Sequence, residues 1–135
     1  DTFPSELVIA NRTVERAHQL VKHFANNANS VLHACPFSEL ESIDPFDLLI
    51  NATSAGLKGE TLPFPTGCVG TKTFCYDLAY SVKETPFLLW ARQHSATKTT
   101  LGWGMLVEQA AESFLIWRGL RPETGPVLKQ ISVSA

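Results

Sequence analysis

Cysteine is scarce in this chain, and its pattern excludes two classes at once. Cys35, Cys68 and Cys75 are an odd number without a C-x-x-C pair, so neither a disulfide framework nor a zinc ribbon is indicated, and reduced, buried thiols are expected. Long apolar runs are missing as well. Those present, such as Phe87-Leu88-Leu89-Trp90-Ala91 and Phe114-Leu115-Ile116-Trp117, fall far short of the roughly twenty residues a membrane span needs. With no charged segment leading into an apolar one at the start, a cytoplasmic, soluble protein is the expectation. No excess of one charge exists either. The 11 Lys and Arg face 13 Asp and Glu, so neither a nucleic-acid partner nor a membrane surface is expected, and any anion site must be local. Repeats, low-complexity stretches and linkers are absent, and 44% apolar residues exclude disorder. A single piece spanning 1–135 with one core fits the length.

Several chemistries lack their motifs. His18, His23, His33 and His94 show no i, i+4 pairing with each other or with Cys, so no metal site is expected. There is no G-x-S-x-G elbow and no evident Cys–His arrangement for hydrolysis. The one G-x-G, Gly102-Trp103-Gly104, lacks a third Gly and comes late, which makes it a poor phosphate loop. Asn11-Arg12-Thr13 and Asn51-Ala52-Thr53 match the glycosylation pattern, but without an export signal both need another explanation.

What is present is alternation. Leu7-Val8-Ile9-Ala10 reads as a strand buried on both faces, stopped by Asn11-Arg12-Thr13. Val14, Ala17, Val21 and Phe24 then recur at helical spacing, with Thr13 as N-cap and Asn26-Asn27 as a stop. Val31-Leu32-His33-Ala34 is a second strand, 37–41 a helical turn, and Phe46-Asp47-Leu48-Leu49-Ile50 a third strand ending at Asn51. Residues 56–70 read as loop, 73–78 as strand, and Thr85-Pro86 opens a helix with Pro at its first position. After a turn and short strand at 94–99, the last strong helix covers 104–117. Leu106, Ala110, Phe114 and Trp117 share one of its faces, Gly119 lies past its end, and a short helix follows at 125–131. The order implies an α/β fold with a parallel sheet flanked by helices.

In such a sheet ligands sit beyond the carboxyl ends of the strands. Where an NAD-binding unit carries an Asp or Glu after its second strand, this chain has neutral Asn11 beside Arg12. A carboxylate there would repel a 2′-phosphate, whereas a guanidinium donates charge-assisted hydrogen bonds to it. Arg16 lies one turn on, and the free N–H groups near Thr13 favour the same anion. The arrangement suits NADP. It also reads as two solvated charges at an exposed helix start, with Asn11 and Thr13 merely shaping the turn. The small, hydroxyl-bearing turn Asn51-Ala52-Thr53-Ser54-Ala55-Gly56 allows Asn51 and Thr53 to approach a sugar-phosphate, or is an ordinary polar turn. Asp77, between Tyr76 and Tyr80, is an acid/base candidate or the cap of a loop. Gln109 can both donate to and accept from a polyol hydroxyl, or lie at the rim of a helix contact.

Taken together these segments resemble the shikimate dehydrogenase family. The likeness runs from about Leu7 onward, on Asn11-Arg12-Thr13-Val14-Glu15-Arg16, Asp47 to Gly56, Tyr76-Asp77-Leu78-Ala79-Tyr80 with Thr85-Pro86-Phe87-Leu88, and Gly104 to Ala111. The resemblance implies an incomplete Rossmann-like sheet with C-terminal helices, and NADP as cofactor. It implies that Asn11 to Arg16 grip the adenosine 2′-phosphate, that Leu78 and Gly102 border the nicotinamide, and that Tyr80 and Gln109 reach shikimate hydroxyls. The family's N-terminal substrate domain, with its catalytic Lys–Asp pair, and its first strand with the Gly-rich loop have no counterpart here. No catalytic residue is therefore assigned, Lys22, Lys58, Lys72, Lys83, Lys98 and Lys129 included, and the chain alone is expected to be inactive. Where the family has Asp-Gly-Leu-Gly this chain has Leu101-Gly102-Trp103-Gly104, a departure at the nicotinamide contact. A relative that also accepts quinate, a non-catalytic nucleotide-binding module and an interaction domain are the alternatives. An unpaired sheet edge is expected to promote self-association.

Overall fold

The computed structural model describes residues 3–54 and 64–134. The incomplete parallel sheet implied above occurs in two parts, one in each of two compact units. No described strand pairs with both, which is why the sheet is not continuous.

In the first unit β1 (Glu6–Ala10) and β2 (Val31–Cys35) run parallel, with Leu7 opposite Leu32 and Ala10 opposite Cys35. Parallel neighbours need a crossover, here α1 (Val14–Phe24). Its Ala17 is fully buried, and the small side chain suits close packing on a sheet. The expected cap differs in detail. Thr13 holds the extended N-cap conformation but its hydroxyl accepts no cap bond; Asn11 Oδ1 instead accepts the Thr13 N–H at 2.9 Å. An Asx-type turn thus shapes the entry to the helix, and the Arg16 N–H is taken by the Thr13 carbonyl at 3.0 Å. After β2 comes a 3-10 turn, Phe37–Ser42, which buries Leu40. The Glu41 carboxylate accepts the Thr66 N–H at 2.8 Å and its hydroxyl at 3.1 Å, tying that segment to the turn.

In the second unit β3 (Leu48–Asn51), β4 (Phe74–Asp77) and β5 (Lys98–Leu101) form a parallel sheet in the order β3-β4-β5. Along β4, Cys75 and Asp77 are buried while Phe74 is exposed, the period of two a strand imposes. The crossover from β4 to β5 is α2 (Pro86–Gln93), which buries Phe87, Leu88 and Ala91. It starts as its sequence dictates: Pro86 needs no N–H partner, and the Thr85 hydroxyl accepts the Leu88 N–H at 3.4 Å.

α3 (Trp103–Arg118) ends at Gly119, whose φ of 70° is left-handed and whose N–H reaches the Leu115 carbonyl at 2.8 Å. The apolar stripe expected on this helix is not its buried line. Ala111 is the buried residue, Ala110 and Phe114 are exposed, and Trp117 is 78% exposed. α4 (Gly125–Ser134) follows. Arg121, in the connection between the two, binds Glu108 at 2.5 Å and Glu112 at 2.8 Å, one helical turn apart on α3.

Candidate functional site

The end of β1 in the first unit forms the first candidate. The Asn11 N–H donates to the Cys35 carbonyl at 3.3 Å, which fixes the chain as it leaves the strand. Arg12, Thr13 and Arg16 all lie exposed at the start of α1, and neither guanidinium pairs with a carboxylate among the described residues. Two unneutralised cations thus stand beside the free N–H groups of a helix start, where the dipole favours negative charge. Such a corner fits a phosphate monoester. Behind it the Cys35 thiol is pushed up from its ordinary range by burial and, secondarily, by the charge of Glu39, so it stays protonated near neutrality.

The second candidate lies at the carboxyl ends of the three-stranded sheet. Register sets it: Asn51 stands opposite Asp77, and Asp77 opposite Leu101, so the three strands end level. Asp77 is 1% exposed, and its carboxylate is surrounded by donors. Oδ1 accepts from Asn51 Nδ2 at 3.2 Å and from the Ala79 N–H at 3.1 Å, while Oδ2 accepts from the Thr85 hydroxyl at 2.6 Å. The Asn51 carbonyl oxygen Oδ1 in turn accepts from the Thr53 N–H at 3.1 Å and the Thr53 hydroxyl at 2.8 Å. One buried carboxylate therefore holds the loop after β3, the loop after β4 and the first turn of α2. Of the two roles open to Asp77, this geometry is that of a loop anchor.

Gly102 closes the arrangement. Its N–H donates to the Ala79 carbonyl at 2.9 Å, and a Cβ at this position would lie far closer to the Leu78 carbonyl oxygen than van der Waals contact allows. Glycine is required because backbone touches backbone. Leu78 and Gly102, named together from the motifs, are thus in contact. Tyr80 follows on the surface, 54% exposed, with its ring 5.6 Å from that of Trp103. Gln109 lies exposed on α3, and its side chain has no hydrogen-bond partner among the described residues. Ala55 and Gly56 of the Asn51 turn lie outside the described residues, as do most of the residues read as the loop at 56–70. Among the described residues no cluster of His, Cys, Asp and Glu could hold a metal ion, and no helix is long and apolar enough to cross a membrane. The motifs did not reveal the part played by Trp103, whose indole N–H donates to the Ser81 carbonyl at 3.2 Å.

The chain is similar to known proteins over most of its length. Residues 3–58 match the family described as shikimate / quinate 5-dehydrogenase, and residues 102–131 match the shikimate 5′-dehydrogenase C-terminal domain. A shikimate dehydrogenase (NADP(+)) of Alkalilimnicola ehrlichii is 54% identical over 125 residues, which is 93% of this chain and 45% of the relative. An Ael1 enzyme from Pseudomonas putida superposes with a TM-score of 0.83 at 43% identity, covering 94% of this chain and 45% of that one. A shikimate 5-dehydrogenase from Thermus thermophilus, solved with NADP(H) and shikimate, superposes with a TM-score of 0.71 at 28% identity, over 95% of this chain and 46% of that one. The chain therefore spans about 45% of the length of the curated relatives it matches. The resemblance read from the motifs holds over nearly all of it.

Proposed function

We propose that this chain is the cofactor-binding part of an NADP-dependent shikimate dehydrogenase, the later portion of a polypeptide that interconverts 3-dehydroshikimate and shikimate. The observation that carries the reading is the pair of exposed guanidinium groups, Arg12 and Arg16, unpaired at a helix start where this fold receives the adenosine ribose. Asn11 and Thr13 shape that corner, and Arg12 and Arg16 would hold the 2′-phosphate. Asn51 and Thr53 would face the sugar-phosphate from the level strand ends. Leu78 and Gly102 would border the nicotinamide, while Tyr80 and Gln109 would meet substrate hydroxyls. When bound, NADPH supplies the hydride that turns a ketone into a secondary alcohol.

The residues of this chain bind and orient. None of its lysines lies in the motif that carries the family's catalytic pair, and hydride transfer needs both reactants held in near-attack geometry. The chain alone is accordingly inactive on this reading. Among the described residues β3 pairs on one side only, and Leu48 and Ile50 are half exposed. An open edge with apolar flanks recruits further strands, so the isolated chain self-associates. The match to a shikimate / quinate family favours one second reading, a dehydrogenase that also accepts quinate.

NADPH oxidation by 3-dehydroshikimate tests the assignment. The full-length protein should turn over, should prefer NADP to NAD, and should process shikimate faster than quinate; the 135-residue chain should show no turnover. A preference for NAD, or turnover by the chain alone, overturns it.

A further inference from the structure

We infer that Trp103 is a positioning residue for Tyr80, fixing the ring that faces substrate; the inference rests on the reading of Tyr80 given above. An exposed tyrosine in a loop is free to sample rotamers, and holding such a side chain on binding costs about 0.5–1.5 kcal/mol. Tyr80 is not free in this way. Its backbone is tied on both sides to two consecutive residues at the start of α3: the Ala79 carbonyl accepts the Gly102 N–H at 2.9 Å, and the Ser81 carbonyl accepts the Trp103 indole N–H at 3.2 Å.

The ring is held too. The two aromatic centroids are 5.6 Å apart at 50°, within the range of favourable aromatic pairs. Below the loop, Asp77 fixes the Ala79 N–H. The Tyr80 hydroxyl has no partner among the described residues, so an ordered ring carries a hydrogen-bonding tip open to a ligand. A leucine at position 103 could supply neither the indole donor nor the ring contact. Trp103 therefore reduces the ordering cost of the Tyr80 contact before substrate arrives.

The 135-residue chain contains two tyrosines, Tyr76 and Tyr80, so 3-fluorotyrosine labelling of it gives two ¹⁹F resonances, assigned with Tyr76→Phe. In the unsubstituted chain the Tyr80 resonance should lie away from its position in urea. Trp103→Leu should move it most of the way there, Trp103→Phe part of the way, and Tyr76 should stay in place in both. Should Trp103→Leu fail to fold, Tyr76 will move as well, and Trp103→Phe then decides. A Tyr80 resonance unmoved by the substitutions, or already at its urea position in the unsubstituted chain, overturns the inference.

In the full-length protein Trp103→Leu should raise the KM for shikimate roughly two- to tenfold, the factor that a rotamer cost of this size gives, and leave the KM for NADP within about twofold. Equal changes in both would also overturn it. A full-length protein that does not act on shikimate would refute the function assigned above, while the fluorine resonances would still decide the placement of Tyr80.

Discussion

The Thr85 hydroxyl donates to Asp77 Oδ2 at 2.6 Å while accepting the Leu88 N–H at 3.4 Å, so a single side chain joins the buried carboxylate at the end of β4 to the first turn of α2. Removing the carboxylate leaves three donors facing a void, at about 1–3 kcal/mol for each buried group left unpaired. Asp77→Ala should destabilise the chain by roughly 3–5 kcal/mol, and Asp77→Asn, which keeps one acceptor, by about 1–2 kcal/mol. Urea midpoints at constant slope measure both.

Arg12→Ala and Arg16→Ala should each weaken NADP binding by roughly tenfold or more in the full-length protein, since a charge-assisted hydrogen bond contributes about 1.5–3 kcal/mol. Affinity for NAD should not change. Calorimetric titration with both nucleotides checks this, and equal losses for NAD and NADP would remove the phosphate from the argument.

Cys35, Cys68 and Cys75 are all buried. Burial raises the thiol range of Cys35 and Cys68, with Glu39 and Glu41 adding to it respectively, while a backbone hydrogen bond partly opposes the shift at Cys68. Folding thus favours the protonated thiols. Stability contributed this way is fully present below the unfolded thiol value of about 8.5 and is lost as pH rises past it. Native chain should resist iodoacetamide at pH 7.5, react at all three sites in urea, and show a falling urea midpoint above about pH 8.5.

Glu108 is held below the usual carboxylate range by hydrogen bonds from the Thr124 side chain and then from Arg121. Its folded value lies under its unfolded one, so the contact is complete above about pH 4.3 and is lost as pH falls through the folded value. Because the site is exposed, the effect is local. Amide exchange in the connection before α4 should rise, after correction for intrinsic rates, on going from about pH 5 to about pH 3, and Glu108→Gln should abolish that dependence.

Sedimentation velocity at rising concentration should reveal reversible self-association of the isolated chain. Ile50→Lys, which places a charge on an open strand, should shift it toward monomer. A concentration-independent monomer would remove the exposed edge as a binding surface.

Local chemistry made much of the fold legible. Leu7-Val8-Ile9-Ala10 forms the expected strand, although Leu7 is exposed and the other three are only half-buried where burial on both faces was expected; Thr85-Pro86 opens a helix, and Gly119 supplies the left-handed stop that α3 uses. A candidate site could be marked from sequence alone where neighbours in sequence form it, as at Asn11 to Arg16. Asp77 was visible as a residue, yet its role was not, because its partners lie 26 and 8 positions away and only register brings them together. The buried line of α3 was misjudged for a related reason: periodicity marks an apolar face without saying what covers it. Trp103 acts through Ser81, 22 residues earlier, a relation that no local pattern encodes.

The level ends of the three strands also make the sheet intolerant of error while it assembles. Side chains alternate sides along a strand, so sliding β4 by a single residue would swing Asp77 to the opposite side of the sheet relative to its neighbours and leave Asn51 and Thr85 without their shared acceptor. Misaligned pairings are penalised at once in two places, and the same cluster that shapes the rim proofreads the alignment of the strands beneath it.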